Sequence, residues 1–165
     1  MKPTAIVYTS NTGKTERYAR MLSNELSIPA YSISQAKKSL EKGADIIYMG
    51  WLMAATVKDL PKANKKYNVC AVCGVGLCPT GEMLSEVRSA ARIPDNIPLF
   101  TVQGGMDKEK LKGVYAIMIK MLIKMVSSKK DKTEGDVAML DLLLKGGDYV
   151  CKENLLSVIE WYNKE

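Results

Sequence analysis

Histidine is absent from the 165 residues, and phenylalanine occurs once. Without imidazole, acid–base work has to fall to Tyr, Lys, Asp or Glu, or to a bound cofactor, and no residue of the chain is assigned a catalytic role. Cysteine is sparse as well. Cys70, Cys73, Cys78 and Cys151 are too few and too unevenly spaced for a disulfide scaffold. Cys70 and Cys73 form a CxxC, but they lie on the apolar run "NVCAVC", which reads as a strand, where residues three apart point to opposite faces. With no second CxxC, the pair reads as strand thiols and no metal site is expected. Cys78 reads as a loop residue and is the cysteine open to a redox role.

Long hydrophobic runs are lacking too. The stretch Val114 to Val126 has thirteen residues and is interrupted by Lys120 and Lys124, whereas a bilayer-spanning helix needs about 20. No charged-then-apolar leader is visible, because an apolar strand starts almost at Met1 and gives way to polar loop residues by Thr9; a cytoplasmic protein is expected. The net charge of +6 is local: Lys108 to Lys132 holds eight lysines against Glu109 and Asp131 and supplies the whole excess. With the rest balanced, no nucleic-acid partner is expected from charge.

What is present is the material of one domain, with 47% hydrophobic residues, enough for a full core. Apolar runs alternate with helical patterns, which predicts an α/β fold with a doubly wound parallel sheet. Five strands are read: Thr4–Thr9, Pro29–Ile33, Asp45–Gly50, Asn68–Cys73 and Ile97–Gln103. Helices are expected over Thr15–Leu26, in "SISQAKKSLEKG" with its stop at Lys42 and Gly43, over Leu60–Tyr67 and over Gly81–Arg92. Wide loops at Gly50–Val57 and Gly74–Gly81 follow the third and fourth strands, at the carboxyl end of the sheet where such folds bind ligands. After the fifth strand a helical insert of about 106–147 precedes the terminal helix.

The first strand runs into "YTSNTGKTE", Tyr8 to Glu16. Its ending suggests a triphosphate loop, G-x-x-x-x-G-K-S/T, but the position of the first glycine is held by Tyr8, which cannot supply the flexible turn. The hydroxyls of Ser10, Thr12 and Thr15, with the backbone amides of Asn11, Gly13 and Lys14, lie at a strand end and a helix start and suit a phosphate monoester. The plainer reading is an N-cap, with the Thr12 hydroxyl accepting from the amide of Lys14 or Thr15.

"SNTGKT" matches every fixed position of S/T-x-T-G-x-T, the FMN phosphate loop of flavodoxins, and the chain resembles that family in strand spacing as well. The resemblance implies strand order 2-1-3-4-5, with Ser10, Asn11, Thr12, Gly13, Lys14 and Thr15 around the FMN phosphate. It assigns the wide loops to the flavin ring: Trp51, Leu52, Met53 and Ala54 as one wall, and Gly74, Val75 and Gly76 as the other. Trp51 reads equally as a stacking wall or a core tryptophan. The second loop lacks the aromatic and acidic residues usual in flavodoxins.

Carrier flavodoxins are acidic and lack such an insert. The insert, rich in Met and Ile, is similar in place and character to that of the flavodoxin-like protoporphyrinogen dehydrogenases. That resemblance implies an FMN-dependent oxidoreductase passing electrons to a quinone or another acceptor, with a quinone or porphyrin-like substrate. The alternatives are an electron carrier serving a redox partner protein and a flavin-free interaction module. For 108–132 three uses stand open: burial or a homodimer contact, peripheral membrane or quinone contact, and a substrate wall.

Overall fold

The computed structural model describes residues 2–165. Strand β1 (Ala5–Thr9) leads through a short loop into helix α1 (Lys14–Leu26), and the chain returns to β2 (Ala30–Ser32) and α2 (Ile33–Ser39). Then follow β3 (Asp45–Met53), β4 (Thr56–Val57), α3 (Leu60–Asn64), β5 (Asn68–Gly76), α4 (Leu84–Ala91) and β6 (Leu99–Gln103). The parallel strands lie in the order β2-β1-β3-β5-β6. Counted without the antiparallel β4, that is the expected 2-1-3-4-5, with the reversal of direction between β1 and β3.

Both faces of the sheet are covered, which is why its strands are apolar throughout. Ile47 and Met49 of β3 pack with Tyr18, Leu22 and Leu26 of α1 and with Val158 and Tyr162 of the terminal helix α7 (Leu156–Lys164). Ile46 and Tyr48 face the other way, toward Ala36, Leu60, Ala63 and Val87 from α2, α3 and α4. The helices are set by local signals. Ser32 and Gln35 form a reciprocal capping box at the start of α2.

Two expected loops are shorter than read. β3 runs past Gly50 through Trp51 and Leu52 to Met53, turns at Ala54 and Ala55 with both residues left-handed, and pairs back through β4. β5 continues through Gly74 to Gly76. Helix α2 ends at Ser39 rather than near Lys42, because Leu40 turns to extended backbone and packs on the core. Leu60–Tyr67 shortens to α3, and Gly81–Arg92 to α4.

The insert holds two helices, α5 (Val114–Ser127) and α6 (Glu134–Lys145), rooted in a two-stranded ribbon of β7 (Gly105–Met106) and β8 (Gly147–Asp148). α6 starts with a capping box from Thr133 and Asp136. No helix among the described residues is long and apolar enough to cross a membrane.

Candidate functional site

The loop after β1 is shaped by the Gly13 amide donating to Ser10 Oγ at 3.2 Å and by Gly13 at φ +94°, a conformation that favours glycine. Gly13 is the N-cap of α1 and no side chain caps the helix; the expected Thr12 cap is absent. The first-turn amides therefore face outward at the positive end of the helix. Thr15 is buried, with 1% of its surface exposed. Among the described residues, neither the Thr12 nor the Thr15 hydroxyl has a protein hydrogen-bond partner.

These groups border a cavity of about 110 Å³, lined on its polar side by Asn11, Thr12, Lys14 and Thr15. Trp51, Leu52, Val75, Gly76 and Leu77 form its floor, and Leu111 and Ile119 of the insert its far side. Trp51, Leu52, Gly76, Leu77 and Ile119 also line a second cavity of about 600 Å³. The two spaces thus form one trough, polar at the helix end and apolar beyond. Met53, Ala54 and Cys78 wall the larger part, and Tyr115, Met118 and Leu122 of α5 roof it.

The expected residues are distributed unevenly. Asn11, Thr12, Lys14 and Thr15 line the small cavity, while Ser10 and Gly13 stand behind it and shape the loop. Gly74 is buried in β5, and a Cβ there would lie 2.7 Å from Leu52 Cδ2. It makes room for Leu52 and does not border the trough, contrary to its expected place beside the ring; Val75 and Gly76 do border it. Trp51 is half-buried, its ring edge-on to Tyr115 with centroids 5.0 Å apart and planes at 86°. It lines both cavities and, through this contact, also carries α5.

Charge at the polar end is partly spoken for. Lys14 Nζ lies 3.1 Å from Asp148 on β8, which also accepts from Arg17. Burial pushes the Asp148 carboxyl up, but hydrogen bonds from Arg17, the Val150 amide and Lys14 outweigh it and hold it at about 2. A carboxylate with a lowered folded value stabilises the fold above its ordinary titration range, near 3.9, and that contribution is lost as pH falls through about 2. Asp148→Asn should cost less than about 1 kcal/mol at neutral pH, since the side chain is 46% exposed. In thermal unfolding at pH 7 and pH 3, the parent should lose more stability on acidification than the variant; equal losses would remove this role from Asp148.

Cys78 stands in the apolar wall with Sγ 3.2 Å from Met83 Sδ. Burial, with Glu82 and Glu86 nearby, pushes its thiol up, which disfavours the reactive thiolate. Cys70 lies at a break in the β3–β5 register, and Cys73 is buried with its thiol pushed up to about 12. No cluster of three or more metal-ligating side chains occurs among the described residues.

Uncapped amides with Thr12, Thr15 and part of the Lys14 charge suit a phosphate monoester, and the apolar trough suits a planar ring. The insert residues Tyr115, Met118, Ile119 and Leu122 were legible only as an apolar helix, because what they face is set by the ribbon. Compared with protein-family models, with curated proteins and with solved structures, the chain finds no match in any of the three.

Proposed function

We propose that the protein is an FMN-binding oxidoreductase of the flavodoxin-like protoporphyrinogen dehydrogenase type, passing electrons from a porphyrin-like substrate to a quinone or another acceptor. The observation that carries the reading is the continuity of an uncapped helix start, bordered by two hydroxyls without partners, with a roofed apolar cavity of about 600 Å³.

FMN supplies hydride and single-electron transfer at its ring when bound. The chain's own residues bind and exclude water. Thr12 and Thr15 would hold the phosphate together with the first-turn amides of α1, while Trp51, Leu52 and Gly76 would flank the ring. Tyr115, Met118 and Leu122 keep solvent from the space beyond. That roof favours an enzyme over an electron carrier, which works with an exposed ring edge.

Thr12→Val should weaken FMN by about 1–3 kcal/mol, the cost of one lost hydrogen bond to a charged group, in a fluorescence titration. Unchanged affinity would place the phosphate elsewhere. The activity itself is tested with FMN-loaded protein, protoporphyrinogen and menadione, following porphyrin fluorescence as the substrate is oxidised. Porphyrin formation coupled to quinone reduction is expected. Flavin that exchanges electrons with one-electron carriers but not with this pair would favour the carrier, and protein that takes up no FMN would favour the interaction module.

A further inference from the structure

Helix α5 turns an apolar side outward, and only part of it borders the trough. Val114, Ile117, Met121 and Met125 are exposed by 68%, 59%, 67% and 61%, and Met118 by 36%. At 3.6 residues per turn these five fall within an arc of about 100°. The opposite side carries Tyr115, Ile119, Leu122 and the buried Val126. Lys124 flanks one edge of the outward arc and Lys120 stands one step farther round, while Lys112 and Lys130 lie beyond the two ends of the helix.

No acidic residue occurs between Lys112 and Lys130. Among the described residues, Lys112, Lys120, Lys124 and Lys130 have no ion pair, whereas Lys129 is paired with Asp136 at 2.6 Å. An apolar arc edged by unpaired cations matches a surface that is apolar inside and anionic at its face. A second copy paired antiparallel on this face would bring the same lysines against each other.

We infer that α5 docks on an anionic phospholipid surface, with Val114, Ile117 and Met121 in the headgroup–acyl boundary and Lys120 and Lys124 on lipid phosphates. Met118, Met121 and Met125 also line the large cavity, so docking turns its mouth toward the acyl chains. The inference stands apart from the flavin reading, since colourless protein would carry the same face.

The test is flotation of the full chain with vesicles of phosphatidylcholine alone or with about 30% phosphatidylglycerol. The protein should float with the anionic vesicles, be released by raised salt, and stay largely behind with the neutral ones. Ile117→Glu, outside both cavities, and the surface pair Lys120→Glu with Lys124→Glu should each lower the bound fraction, the pair by about fivefold or more per lysine, with unchanged circular dichroism. Equal flotation with both vesicles, flotation with neither, or a solution dimer that Ile117→Glu dissociates would overturn the inference.

Discussion

FMN is expected to bind at least about 100-fold more tightly than riboflavin, which differs from it by the phosphate. The amides that open α1 have no cap, and the Thr12 and Thr15 hydroxyls have no protein partner among the described residues. A phosphate dianion there would gain several charge-assisted hydrogen bonds, each worth about 1.5–3 kcal/mol. Two net bonds of that size give about 3–6 kcal/mol, or a factor between about 100 and about 20,000. Lys14 adds less than a free lysine would, because Asp148 shares its charge. Titration of both compounds by fluorescence quenching measures the ratio. Equal affinities would mean that the loop holds no phosphate and that binding rests on the apolar trough alone.

The second large effect is expected at Gly105, where the insert is rooted. Its φ is +88°, and a Cβ would lie 2.3 Å from the carbonyl oxygen of Gly147 and 2.9 Å from its carbon. These are backbone atoms of the paired strand β8, so no side-chain adjustment relieves the clash. Gly105→Val should force the β7–β8 ribbon apart, cost about 3 kcal/mol or more, and release Asp148 from Lys14 and Arg17. Thermal unfolding would show the loss, and limited proteolysis would show new cleavage between residues 107 and 146. Gly113 is the control: its φ is +61° with open space around it, so Gly113→Ala should cost only backbone strain, about 1–3 kcal/mol. A Gly105→Val protein no less stable than Gly113→Ala would show that the ribbon does not hold the insert.

The parallel strands and the loop after β1 were legible because each rests on local chemistry: continuous apolar runs for buried strands, and a strand end meeting hydroxyls and a helix start; the order of the strands was implied only by the resemblance. The ring-side loops were less legible. Gly50 and Gly74 look like strand ends, yet both lie inside strands, at places where the chain folds closely over itself. A Cβ on Gly50 would meet Val57 Cγ1 at 2.6 Å, and one on Gly74 would meet Leu52 at 2.7 Å. Glycine there makes room for the β3–β4 hairpin, a long-range contact that periodicity cannot express. The Ala54–Ala55 turn carries none of the Asn or Gly that usually marks left-handed hairpin residues. The ribbon was invisible for a different reason: strands of two residues are too short for any alternation. With it went the roof of the trough, since nothing local says that Tyr115 meets Trp51.

The central claim is that the Ser10–Thr15 loop holds a flavin phosphate, and phosphorus NMR of the protein loaded with FMN tests it most directly. The bound phosphate should resonate apart from free FMN and hold its position between about pH 5 and about pH 8, because a loop of donors keeps it dianionic through its usual titration near 6. In the double variant Thr12→Val, Thr15→Val that separate resonance should weaken or vanish at equal total FMN. A phosphate that titrates as it does in free solution, in protein that still quenches the flavin, would contradict the account.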